Sequence, residues 1–273
     1  MIELSSLALT LLPKMAIAAI LVVGATLIAE RAGPVVGGLV ATLPLASGPA
    51  FAFIALNHPT SFIAGTALSS LGEIVPTLLF VASYALLAQR FHALACMGLA
   101  LAIWAVYAVL TLWSDRGIAT ALILNLVAFP LCIALTYHLG DAKVPASRAS
   151  ALDITLRAAS VAVVVAAVEI AGLIASPAVT GVLACFPIVF VTMAGIIHFR
   201  HGGKAAAAVL AHSAPGLAGI SLAFLVVNRL AEPLGSWPAL GLGLLTSICW
   251  NIALFLLHRA RPSMRSQIAL AQN

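Results

Sequence analysis

The stretch Pro34-Val35-Val36-Gly37-Gly38-Leu39-Val40-Ala41-Thr42-Leu43-Pro44 has a counterpart in Pro177-Ala178-Val179-Thr180-Gly181-Val182-Leu183-Ala184-Cys185-Phe186-Pro187. Each begins and ends on proline, each carries glycine at its fifth position, and the two lie 143 positions apart. The same ungapped offset pairs Lys14 with Arg157, His58 with His201, Ser70 with Ser213 and Gly98 with Gly241. Alanine and leucine matches are cheap in an apolar chain. Proline supplies only 14 of the 273 residues, so repeated proline matches at one offset point to an internal repeat.

The composition states what solvent this repeat is built for. Hydrophobic residues make up 63% of the chain, charged residues 8%, and the mean hydropathy is +1.17. Soluble domains carry about 25% charged residues. So apolar a chain cannot cover a water-facing surface, and its matching solvent is lipid. Charged and turn-forming residues divide it into nine apolar segments, near 7–29, 35–56, 62–88, 92–113, 117–138, 153–174, 178–198, 205–228 and 237–257. Each approaches the roughly 20 residues that cross the hydrocarbon as a helix. They lack the two-residue alternation of a membrane barrel, so helices are the spanning element. Glu3 and Lys14 interrupt the pattern of a cleavable leader, and the first segment belongs to the repeat, so it is read as a retained helix.

The basic residues set the expected topology. With the N-terminus outside, nine fall in inner connections: Arg31, Arg90, Lys143, Arg148, Arg200, Lys204, Arg259, Arg261 and Arg265. Two fall outside, Arg116 and Arg229, and Lys14 and Arg157 lie within spans. The positive-inside rule then favours nine spans with the C-terminus in the cytoplasm of a cell that keeps the protein in its plasma or inner membrane. The repeat units cover 1–114 and 150–258, a linker helix and loop occupy 115–149, and a basic tail fills 259–273. An odd number of spans separates equivalent points, so the second four-helix unit enters from the opposite side. That is the inverted-repeat plan of many secondary transporters. The expected fold is an all-α polytopic bundle.

Charge distribution also excludes function classes. The formal charge of +5 sits at the ends of apolar runs, where it orients spans and offers no nucleic acid a basic face. Cys96, Cys132, Cys185 and Cys249 lie in apolar stretches without metal-ligand spacing and read as packing residues. No zinc, nucleophile-elbow or phosphate-loop motif occurs, so neither an enzyme nor a cofactor is expected.

Candidate site residues come from the interruptions and the buried charges. A proline inside a helix removes a hydrogen bond and clashes with the preceding turn. In lipid the freed carbonyl needs protein or a water-lined cavity. Matching interruptions in two halves are a pointer to a transporter's binding site, which nominates Gly38, Pro44, Gly181 and Pro187. The competing account is a pair of packing kinks with glycines admitting close helix approach. Glu73 and Glu169 lie within apolar helices, where an ionised carboxylate costs about 2.5 kcal/mol or more. Each must face the interior, pair with a cation or hold a proton. His212 joins them as a candidate proton relay. Lys14 and Arg157 are candidates for an anionic substrate or for balancing the two glutamates; the alternative is that they snorkel to the interface. Asn125, Asn228 and Asn251 read as amides that join helices.

The paired Gly-spacer-Pro stretches at 38–44 and 181–187, each followed by an apolar run ending near a histidine, resemble the small GlpM-type membrane proteins. Those have about half this length and four predicted helices. The resemblance implies two such units fused through an extra helix, although Val36 and Val179 stand where an aromatic residue would precede the glycine. The functional expectation is a secondary transporter of a small solute, proton-coupled through Glu73. The alternative is a non-transporting membrane subunit of a polysaccharide or lipid assembly system. The lipid bilayer is the expected partner, nucleic acid is not, and the pattern is compatible with a homo-oligomer.

Overall fold

A computed structural model describes residues 4–31, 42–114, 117–140 and 150–260. It is a helical bundle: α1 (Leu4–Arg31), α2 (Ser47–Ile54), α3 (Thr60–Leu87), α4 (Ala93–Leu112), α5 (Ile118–Thr136), α6 (Ala151–Ile174), α7 (Pro177–Ala184), α8 (Ile188–His201), α9 (Gly203–Leu234) and α10 (Ser236–Ala260). A 3-10 turn, Tyr137–Leu139, follows α5. Seven of the resulting segments are long and apolar enough to cross a membrane, counting Pro177–His201 as one. The protein is therefore an integral membrane protein. Of the nine expected segments, α1 contributes a shorter apolar stretch, Leu9–Gly24, and the second is described only from Thr42 onward.

Helix ends repeat the sequence offset. α3 opens at Thr60 and α9 at Gly203; α4 opens at Ala93 and α10 at Ser236. Both pairs stand 143 positions apart. The junctions themselves differ. Pro59 and His92 precede the first pair in extended backbone, whereas Gly202 and Gly235 precede the second pair at φ +84° and +91°. Only glycine adopts that left-handed region without strain.

α3 and α9 form the centre. The most apolar stretch of α3 is 72% buried and that of α9 is 56% buried, against 17% for α10 and 22% for α5. Small residues are the reason: Gly65, Ser69 and Ser70 on α3 and the run Ala205–Ala208 with Gly216 and Gly219 on α9 let neighbours approach. The two helices run antiparallel. Asn228 Nδ2, late in α9, donates to the Ala64 carbonyl early in α3 at 2.9 Å. At the other end Gly203 lies so near the Ala88 carbonyl that a Cβ would stand 1.9 Å from it. α1 packs along α6, and α10 packs along α9.

The linker helix α5 joins both halves through one amide. Asn125 Nδ2 donates to the Leu71 carbonyl of α3 at 2.9 Å and to Ala121 at 2.8 Å, while its Oδ1 accepts from Ser221 Oγ of α9 at 3.3 Å. The outer faces of α4, α5 and α10 present Leu99, Val106, Leu126, Leu131, Leu245 and Ile252, exposed apolar side chains suited to lipid. Cys96, Cys132 and Cys185 are buried, whereas Cys249 faces outward.

Candidate functional site: a cavity between two helix breaks

The seventh segment, expected as one helix over 178–198, is two. α7 starts with Pro177 at its first position and the Ser176 side chain accepting from Val179 N–H at 3.4 Å, a favoured helix entry. It closes where Cys185 N–H reaches Gly181 O at 3.2 Å and Phe186 N–H reaches Leu183 O at 3.1 Å. Pro187 has no N–H to continue the ladder. The chain turns there and restarts as α8, with Ile188 N–H donating to Phe186 O at 2.7 Å and Val191 N–H to Pro187 O at 2.9 Å.

The same turn occurs before α2. Leu45 N–H donates to Leu43 O at 2.7 Å, and Gly48 N–H donates to Pro44 O at 2.8 Å. Each donor and acceptor is displaced from its equivalent by 143 positions. The repeat thus extends from residue identity to backbone geometry.

A cavity of about 50 Å³ lies between the two breaks. Such a volume admits a few water-sized groups. Its lining is symmetric in sequence: Leu43 with Phe186, Ala46 with Val189, Ser47 with Phe190, Ile74 with Leu217 and Thr77 with Ile220 are all offset pairs. Ala184, Cys185 and Pro187 complete it. Each half therefore supplies a break and the helix that faces it.

Among the described residues, the two breaks show different contacts. On the second, Ser69 Oγ donates to Ala178 O at 2.8 Å, Ser70 Oγ to Gly181 O at 3.1 Å, and Thr77 Oγ1 lies 3.3 Å from Cys185 O. Hydroxyls of α3 thus satisfy the carbonyls of α7 and of the break, as lipid depth requires. On the first, Thr42 Oγ1 donates to Asn251 Oδ1 at 3.0 Å, and Thr42 occupies a notch that a Cβ on Gly216 would fill, 2.2 Å from that oxygen.

The residues nominated from sequence are distributed as follows. Pro187 lines the cavity, and Pro44 sits half-buried in the first break beside the lining residue Leu43. Gly38 lies outside the described residues. Gly181 is at the contact of α7 with α3, where a Cβ would stand 2.5 Å from Thr66 O and 2.7 Å from Ser69 Cβ. Lys14 and Glu169 are brought together: Nζ lies 2.5 Å from Oε2, with Nζ also 5.6 Å from the centre of the Phe53 ring. This ion pair bolts α1 to α6. Arg157 is buried in α6 one turn after Asp153, which pairs with Arg200 at 2.8 Å. Glu73 is buried on α3, its Oε1 accepting from Thr111 Oγ1 of α4 and its carbonyl accepting from Thr77 Oγ1 at 3.0 Å. His212 is half-buried, its Nδ1 at 2.8 Å from Ala208 O and its ring against Gly140.

None of the four charged candidates, Lys14, Arg157, Glu73 and Glu169, nor His212, lines the cavity. Sequence reasoning passed over Ser47 and Thr77, which do. Their signal was available in the offset itself, since each is the polar member of a pair whose partner is apolar. No group of three metal-ligating side chains forms among the described residues. No family model matches this chain, and no curated protein or solved structure matches it either.

Proposed function

We propose that this protein is a secondary transporter of a small solute, which occupies the cavity between the two breaks. One observation carries the reading: the cavity is lined by five residue pairs related by the repeat. In transporters built from inverted repeats the substrate site lies near the midplane at discontinuous helices from both repeats. A site shared equally by two such units becomes accessible to either face as one unit rocks against the other. The antiparallel run of α3 and α9 supports the inversion. The basic residues support an N-terminus outside and a cytoplasmic C-terminus. A fused pair of GlpM-type units accounts for the repeat and its linker.

Glu73 is assigned the coupling proton. It is buried, and it sits one turn from Thr77, which reaches the cavity from the same helix. A carboxylate at that depth that alternates between charged and neutral states ties proton movement to the shape of α3.

The test needs no knowledge of the solute. In a background with the four native cysteines replaced, Ser47→Cys is exposed to a membrane-impermeant maleimide from each face of oriented vesicles. Labelling from both faces is expected; labelling from one face only, or from neither, removes the transporter reading. Markers at Asn57 and Arg200 are expected in opposite compartments. A pH gradient is expected to shift the two-face labelling ratio of the Ser47→Cys protein and to leave it unshifted when Glu73→Gln is added. An equal shift in both proteins takes Glu73 out of the mechanism.

A further inference from the structure

Two helices start at the cavity, one from each half. α2 opens at Ser47 and α8 at Ile188, and neither start has a side-chain cap. The first N–H groups of a helix have no partner within it. Leu45, Gly48, Ile188 and Val191 use theirs in the turns. The N–H groups of Ala46, Ser47, Val189 and Phe190 have no partner among the described residues, and these four residues all line the cavity. First-turn N–H groups point back along the helix axis, here toward the break. These four N–H groups thus belong to residues that line about 50 Å³ from two sides.

A second, independent feature points to the same place. Ser47 is 8% exposed, lines the cavity, and its hydroxyl has no hydrogen-bond partner among the described residues. A hydroxyl open only to the cavity takes its hydrogen-bond partner from whatever occupies it.

Charge sets the class of ligand. Each helix start carries roughly half a positive charge, so two facing starts sum to about one. No Lys, Arg, His, Asp or Glu is in the lining, and residues 32–41 contain none in their sequence. Lys14, on α1, is engaged by Glu169. Within the lining only the backbone and the Ser47 hydroxyl supply positive potential; the Glu73 carboxylate, whose charge reaches Cys185, opposes it when ionised and leaves it intact when protonated. The geometry points to a binding site for a small monovalent anion, of halide, nitrate or formate size, held by four backbone N–H groups and the Ser47 hydroxyl. Helix starts favour anions by this means and repel cations. A divalent anion would leave about one charge unbalanced. The inference rests on the cavity being the transported solute's site and names that solute's chemistry.

The full-length protein, reconstituted in liposomes, is assayed for uptake of radiolabelled chloride, nitrate and formate, with potassium and methylammonium as cations and urea as a neutral solute. Saturable uptake of at least one anion, and of neither cations nor urea, is expected. Ser47→Ala is expected to weaken the apparent affinity about tenfold, the scale of one hydrogen bond to a charged group. Ala46→Asp places a carboxylate at the start of α2, where negative charge is favoured, and fills the anion's position. It is expected to keep or raise the melting temperature while abolishing uptake. Uptake that survives in a folded Ala46→Asp protein overturns the site, as does saturable uptake of a cation or of urea instead. Those results with two-face labelling of Ser47→Cys intact would end the anion assignment and leave transport standing. Anion binding to detergent-solubilised protein without two-face labelling would do the reverse.

Discussion

The two breaks share one backbone and are held in different ways. Around Cys185 the carbonyls are stitched to α3 by Ser69, Ser70 and Thr77, and Gly181 sits against the Thr66 carbonyl. Around Thr42, among the described residues, that residue's own side chain seats in the notch at Gly216 and bonds Asn251. The facing helices explain the difference. Where α3 has Ser69, Ser70, Glu73 and Thr77, the equivalent positions of α9 are His212, Ser213, Gly216 and Ile220. The break facing α3 meets the Ser70 and Thr77 hydroxyls, and Thr42 at the other break meets the space at Gly216. The turn recurs because its geometry follows from proline and local N–H pairing. The supporting contacts diverged, because any arrangement that satisfies the carbonyls suffices.

The same contrast extends to the first helices of the halves, and there the largest effect is expected. Lys14 faces Glu169, whereas the offset equivalents are Arg157 and Thr26, a pair without a carboxylate. Lys14→Ala leaves Glu169 buried without its cation and is expected to cost about 3–5 kcal/mol in detergent unfolding. The double change Lys14→Met with Glu169→Met is expected to recover most of that. If the double variant is no better than Lys14→Ala, packing at these positions, and not the charge pair, holds α1 to α6.

Glycine substitutions test the breaks directly. Gly181→Ala drives a Cβ into backbone and is expected to cost about 3 kcal/mol. Gly216→Ala meets the Thr42 side chain and turn, which can shift, and is expected to cost about 1 kcal/mol. Equal losses in thermal unfolding would mean that both breaks are seated with the same rigidity.

Hydroxyl removal gives the smallest and sharpest comparison. Ser70 bonds across to Gly181 O, while its offset partner Ser213 bonds back to Val209 O of its own helix at 3.0 Å. Ser70→Ala is expected to cost about 1 kcal/mol and Ser213→Ala a few tenths, since only the first leaves a partner on another helix unsatisfied. A Ser213→Ala loss as large as that of Ser70→Ala would erase the distinction between a hydroxyl bonded across helices and one bonded within its own helix.

Much of this was legible in the residues. Nearly unbroken apolar runs made the bundle inevitable, and proline at one offset located both breaks to within a residue or two. The helix that failed as a single element, 178–198, failed where Pro187 stands, a position already marked as an interruption. The candidate site was legible only in part. Pro187 reached the cavity and Pro44 lies beside it. Gly181 went instead to a helix contact, because a glycine's value for close approach is the same whether the neighbour is a ligand or a carbonyl. Lys14 and Glu169 are 155 positions apart, and nothing local indicates that they meet.

By itself, then, the sequence determined the solvent, the helices, the repeat and the places where two helices must stop, because each of these depends on residue type and neighbours along the chain. Only the tertiary structure decided which charges pair, which hydroxyls close which carbonyls, and that the two helix starts share one cavity. Those outcomes depend on rotation and depth of helices that touch across long separations. In a chain whose apolar residues surround every helix, no hydrophobic stripe records that rotation.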